Sequence, residues 1–295
     1  MQIKKVLVPV DFSPPSTLAV NHGVALARKF RAKLTLLHVV ESPSALLYTF
    51  ASEAEKVEAQ RKDQAEKMLP ALVSPEDQDD LDVVFLVKAG DIQDVIESIA
   101  HLERADVVVM GTHSRSLFGR LFIGSITQGF LRELRIPVLT VCRVSRPLEF
   151  KRILFATDLG PDSEKGFDFA LDMAAKAGSS LVVAHTIDKR PEVTYETPEV
   201  HQLFDEERAQ ALRREISAAC VLAEGDASET IVRIADENEA DLIVLGLRRM
   251  GTMAKALLGV TAEPVIRNAH VPVLSVPIGN HVGLNKSVKE VQQHA

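Results

Sequence analysis

Lys4-Lys5-Val6-Leu7-Val8-Pro9-Val10-Asp11 returns 147 residues later as Lys151-Arg152-Ile153-Leu154-Phe155-Ala156-Thr157-Asp158. A short apolar run, with two basic residues in front and an aspartate behind, is used twice in one chain. The same offset carries Ala32-Lys33-Leu34-Thr35-Leu36-Leu37-His38 onto Ser179-Ser180-Leu181-Val182-Val183-Ala184-His185. Further on the offset is 135. There Ala105-Asp106-Val107-Val108-Val109-Met110-Gly111 meets Ala240-Asp241-Leu242-Ile243-Val244-Leu245-Gly246, and Gly124 meets Gly259. Ile136-Pro137-Val138-Leu139 meets Val271-Pro272-Val273-Leu274 at that offset too. The second copy is therefore 12 residues shorter between its second and third apolar runs. Self-similarity at a fixed spacing marks one structural unit built twice.

Within a copy, short apolar runs alternate with longer amphipathic segments. Ile3–Val10, Leu34–Val40, Leu81–Val87, Val107–Met110 and Val138–Val141 are rich in Val, Ile and Leu on both faces, as strands covered on both sides must be. Pro14–Phe30, Glu53–Leu72, Asp91–Glu103 and Ser125–Leu134 carry apolar residues at spacings of three and four and predict helices. In the second of these, Ala54, Val57, Ala65, Met68 and Leu72 form the stripe that should face the core. Ser13 before Pro14-Pro15, and Asp91 after Gly90, are helix-start chemistry. This alternation predicts an α/β fold of two repeated doubly wound domains, each a five-stranded parallel sheet with helices on both faces. Residues 1–144 form the first domain and 150–279 the second. Ser145-Arg146-Pro147 interrupts both periodicities, and a polar tail occupies 280–295.

Composition bounds the function. A chain of 295 residues suits two domains of roughly 100–200 residues each. Hydrophobic residues make up 46% and charged residues 25%, which excludes a mainly disordered or collagen-like chain. Two cysteines, Cys142 and Cys220, cannot build a disulfide framework or a four-thiolate zinc site. They fit a reducing cytosol, and small buried hydrophobes are the plainer role for both. A net charge of −7 supplies no positive field for nucleic acid. The run Val6–Val10 is stopped by Asp11, too short for a secretory core, and no apolar run reaches the ~18 residues of a membrane span. The expectation is a cytoplasmic protein with neither nucleic acid nor membrane as partner.

In such sheets ligands bind beyond the carboxyl ends of the strands, where strand order reverses. The informative segment is Gly111-Thr112-His113-Ser114-Arg115-Ser116, followed by Leu117 to Ile123 and by Gly124-Ser125-Ile126-Thr127. A glycine at a strand end permits close approach to the backbone. Gly124-Ser125 opens a helix whose free N–H groups and positive end suit an anion, and Ser125 and Thr127 add hydroxyl donors. This is a phosphate cradle without a Walker lysine. Asp11 and Asp158 close the first strand of each copy, where ligand contact competes with capping of the next turn. His38 and His185 lack ligands at metal spacing and are expected to be hydrogen-bonded strand-end histidines. His113, Arg115 and Arg120 either touch phosphate or face solvent. No carboxylate pair suggests a metal clamp and no residue stands out as a base, so binding rather than catalysis is expected.

On these residues the chain resembles tandem universal stress proteins over about 3–142 and 151–277, with an adenine-nucleotide α-hydrolase-like fold. The family pattern is a Gly, two residues, a second Gly, nine residues, then Gly-Ser or Gly-Thr. The resemblance implies ATP (or AMP/ADP), with or without a divalent cation, held by Pro9, Val10 and Asp11, by Val39, and by Met110 and Gly111. The loop residues His113, Ser114 and Arg115 come next, then Gly124, Ser125, Ile126 and Thr127. Ser114 departs from the pattern; where the second Gly needs φ > 0, a serine costs about 1 kcal/mol. The second copy departs further, with Arg249 at the second Gly and Val260 after Gly259, and is the degenerate half. The implied function is a stress-response regulator or sensor that binds an adenine nucleotide through its first domain with little or no hydrolysis. The alternative is a ligand-free docking module acting through protein–protein contact. An ATP pyrophosphatase or adenylyltransferase would carry S-G-G-x-D-S or H-x-G-H, and neither occurs. The resemblance also implies that Val138–Val141 pairs with Val273–Val276 as a pseudo-dimer inside one chain, and it is compatible with a homodimer.

Overall fold

A computed structural model describes residues 2–41, 51–112, 123–133, 135–142, 144–160, 162–187, 198–248 and 260–278. The first repeat consists of β1 (Lys5–Val10), α1 (Pro14–Phe30), β2 (Lys33–Glu41), α2 (Ala51–Met68), α3 (Pro75–Asp80), β3 (Val83–Gly90), α4 (Ile92–Leu102), β4 (Val107–Gly111), α5 (Ser125–Arg132) and β5 (Val138–Val141). The second consists of β6 (Arg152–Thr157), α6 (Ser163–Ala177), β7 (Ser180–Ile187), α7 (Pro198–Arg213), β8 (Ala218–Glu224), α8 (Ala227–Glu237), β9 (Leu242–Arg248), α9 (Ala262–Asn268) and β10 (Val273–Ile278).

The strands form one ten-stranded sheet in the order β3-β2-β1-β4-β5-β10-β9-β6-β7-β8. Pairing is parallel inside each repeat, and the order reverses where β1 lies between β2 and β4. At the centre β5 and β10 run antiparallel, with Leu139 opposite Leu274 and Thr140 opposite Val273. The Thr140 hydroxyl also donates to the Val273 carbonyl at 3.0 Å. Each repeat thus covers the other's last strand, which removes two exposed edges. Neighbouring residues of a strand point to opposite faces: Val6 and Val8 join one core, Leu7 the other. Helices on both faces explain why β1 carries no polar side in sequence.

Local chemistry sets the helix starts. The Ser13 hydroxyl accepts from Ser16 N at 3.4 Å, with proline in the first turn of α1. Asp91 Oδ1 accepts from Gln93 N and Asp94 N at 2.9 and 3.1 Å. Asp226 repeats this for α8, and the Ser228 hydroxyl donating to it leads the interactions that hold its carboxyl below the usual range. Asp91→Ala is expected to cost about 1 kcal/mol in a denaturant titration, because two amides of α4 lose their acceptor.

Three features differ from the sequence expectation. The helix expected over Glu53–Leu72 stops at Met68, and Pro70 opens a short 3-10 turn to Leu72. Its contact face is also rotated: Ala65 and Leu69 are buried while Val57 and Met68 are exposed. Helix α3, capped by Ser74, was not anticipated; it lies in the stretch that makes the first copy longer. The boundary stretch after β5 also takes part in packing: Leu148 and Phe150 are buried in a core shared by both repeats. Arg146 ties it down on two sides. Its carbonyl lies 3.2 Å from Nε2 of buried His22 in α1, its N–H donates to the His270 carbonyl at 2.8 Å, and its guanidinium meets Asp236 at 2.6 Å.

Candidate functional site

The sheet order brings the ends of β1, β2 and β4 to one crevice. Around it the described residues enclose a cleft of about 160 Å³. Pro9, Val10, Asp11, Val39, Met110, Gly111, Gly124, Ser125, Ile126 and Thr127 all line it. His113, Ser114, Arg115 and Arg120 lie outside the described residues. Ser13, Pro15 and Ser16 from the start of α1, Leu37 from β2, and Ile92 and Ile96 from α4 complete the wall. The four-residue spacing of Ile92 and Ile96, directly after the Asp91 cap, was the available signal for the α4 face.

The lining of the cleft is of two kinds. Leu37, Val39, Ile92 and Ile96 are apolar, while α5 contributes the start of a helix. There Gly124 occupies the cap position at φ −58°, and among the described residues no side chain caps the first amides of the helix. Unmet N–H groups at a helix start carry partial positive charge. Ser125 is exposed beside them, so its hydroxyl faces outward. Thr127 behaves differently from the sequence expectation: it is buried, and its hydroxyl donates to the Gly111 carbonyl at 3.1 Å. That bond staples α5 to β4 and leaves Ser125 as the free hydroxyl donor of the pair.

Gly111 also has another reason than ligand approach. A Cβ there would lie 2.4 Å from the Pro15 carbonyl oxygen, so the first turn of α1 is what demands glycine. Asp11 Oδ1 accepts from Ser13 N at 2.9 Å and from the Ser13 hydroxyl, closing a turn in which Phe12 adopts φ 60°. A non-glycine residue in that region stores of order 1 kcal/mol. His38 Nδ1–H donates to the Val10 carbonyl at 2.7 Å, and its ring packs against Phe12 at 4.7 Å. The acceptor is a carbonyl, so the proton sits on Nδ1. Among the described residues no group of three or more His, Cys, Asp or Glu could hold a metal ion.

The model of the universal stress protein family matches residues 2–141 and again 149–277. The chain belongs to the universal stress protein family. Universal stress protein G of Escherichia coli O157:H7 is 31% identical over 141 residues, covering 47% of this chain and 98% of that protein. A universal stress protein of Methanocaldococcus jannaschii is 30% identical over 141 residues, covering 43% of this chain and 82% of its own. Both repeats together match the crystal structure of a universal stress protein from Archaeoglobus fulgidus (TM-score 0.75, 22% identity), covering 95% of this chain and all of that one.

The second universal stress repeat keeps the scaffold and changes the crevice. Asp158 makes the same turn, accepting from Gly160 N at 2.9 Å and from the Ser163 hydroxyl, with Leu159 at φ 56°. His185 Nδ1–H likewise donates to the Thr157 carbonyl at 2.9 Å. In the first repeat the ladder of β4 with β5 ends at Gly111 opposite Val141. In the second it runs past Gly246, pairing Leu247 with Pro277 and Arg248 with Ile278. Val260 is 92% exposed, and α9 begins only at Ala262, where the first repeat has Thr127. Glu263 in the first turn puts a carboxylate at the end of α9 that should attract an anion, and Pro264 brings no N–H. Arg249 and Gly259 lie outside the described residues.

Proposed function

We propose that the first repeat binds an adenine nucleotide, with ATP, ADP and AMP as the candidate ligands, and that the protein acts as a nucleotide-responsive stress regulator with little or no turnover. The observation that carries this reading is the uncapped start of α5, which opens into the same cleft as Val39, Ile92 and Ile96. A nucleotide needs that pairing: an apolar surface for its base and unmet N–H donors for its phosphates. Preference for adenine rests on the family resemblance, since an apolar flank by itself does not tell purines apart. The same reading leaves the second repeat without ordinary nucleotide binding, because Val260, Glu263 and Pro264 replace the donors. A docking role for that half fits its exposed Val260.

Calorimetric titration of the purified protein with AMP, ADP, ATP and GTP tests the proposal, and no affinity tighter than about 1 mM for any adenine nucleotide would sink it. Ser125→Asp separates binding from folding. A carboxylate in the first turn favours the helix but repels phosphate, so affinity is expected to drop at least about tenfold with the melting temperature no lower than in the wild type. An unaltered affinity would mean that α5 does not hold the anion.

A further inference from the structure

Helix α7 covers the second repeat with Phe204 and Ala211 turned inward, both buried. Glu207 lies three residues beyond the first and four before the second, on that same helical face. Its Oε2 is sealed from solvent and has no hydrogen-bond partner. It borders a cleft of about 290 Å³ between α7 and α6, shared with Thr157, Leu159, Ser163, Phe167 and Gln210. An acid thus occupies a position where amphipathic packing calls for an apolar side chain. No cation answers it among the described neighbours. Glu206 and Arg208 flank it on α7, Arg208 with Asp205 at 3.6 Å; Glu164 faces the cleft from α6, and Asp158 is held in the turn before it. On β8 the neighbour is Cys220, whose Sγ lies 3.7 Å from the Phe204 carbonyl and whose own titration is pushed up by burial.

We propose that Glu207 is a proton-operated catch for α7, holding the helix on the sheet while its carboxyl is neutral and loosening it, with the cleft beneath, once the carboxyl ionises. Burying an unpaired carboxylate costs several kcal/mol, so ionisation and close seating of the helix oppose each other. Burial raises the Glu207 carboxyl from 4.5 to about 7, which places the change near neutral pH. The sign follows from linkage. The seated form binds the proton more tightly than the released form, so seating weakens as pH rises through the ordinary carboxylate range and the loss is complete above about 7. This switch lies in the second repeat and does not depend on nucleotide binding in the first.

Hydrogen exchange of the full chain, expressed as protection factors, tests the proposal. Between about pH 6 and pH 8 the α7 amides of the wild type are expected to lose about tenfold protection while those of β6 and β7 hold. Glu207→Gln, isosteric and permanently neutral, should keep the low-pH protection at both values. Equal α7 protection in the wild type at both pH values, or a Glu207→Gln variant that follows the wild type, overturns the proposal. Carbon-13 titration of the wild-type Glu207 carboxyl decides the matter where the variant folds poorly. A midpoint near neutral supports the catch, and one in the ordinary carboxylate range overturns it.

Discussion

Phe150→Ala is expected to destabilise the protein by about 3–5 kcal/mol, the largest loss from any single side chain discussed above. Phe150 lies in the linker yet is 3% exposed. Its ring meets Phe30 of α1 edge-on, centroids 5.4 Å apart and planes at 85°, with Lys29 Nζ 5.8 Å from its centroid. Its carbonyl accepts from the Ser179 hydroxyl at 2.6 Å, so one residue touches both repeats. Alanine would leave a void in the core that the two halves share, beside the Phe30 ring that packs on it. The chain has no tryptophan, so calorimetry or circular dichroism in denaturant is the readout. A shift worth less than about 1 kcal/mol would show that the repeats do not lean on the linker.

Gly111→Ala should follow, costing about 1–3 kcal/mol or more. The added methyl would meet the backbone of Pro15 at 2.4 and 2.5 Å, and a helix start braced by two prolines cannot step aside. Gly246→Ala at the equivalent position meets the Ile278 side chain instead, nearest atom at 2.7 Å. A flexible side chain can rotate away, so this variant should be the milder of the two. Denaturation midpoints that rank Gly111→Ala no worse than Gly246→Ala would refute the packing account and return Gly111 to the ligand. A nucleotide-binding defect in Gly111→Ala therefore has to be read against its stability, whereas one in Ser125→Asp does not.

The relation between sequence and site is clearest in these glycines and in Thr127. Gly111 and Gly246 recur at one position of the repeat, and recurrence suggests a shared ligand. The neighbours that need the missing Cβ differ: Pro15 belongs to a helix in one repeat, Ile278 to a strand in the other. Thr127 follows Gly124 in a donor-rich motif, yet its hydroxyl is taken by a carbonyl 16 residues earlier. A side chain's availability depends on what folds against it, and nothing in its local motif reports that.

By itself the sequence determined the repeat, the alternation of strands with helices, the caps at Ser13 and Asp91, and the crevice where β1, β2 and β4 end. All of these follow from side chains within a few residues of one another or from self-similarity, and both are written along the chain. The tertiary structure decided that the linker is core, that Arg146 reaches His22 and Asp236, and that Glu207 faces inward on α7. The first two come from residues that meet only when the two halves close on a single sheet, the third from the seating of α7 within the second repeat. The energy of burying a ring, or of stranding a carboxylate, is set by such tertiary packing and not by the nearest neighbours in sequence.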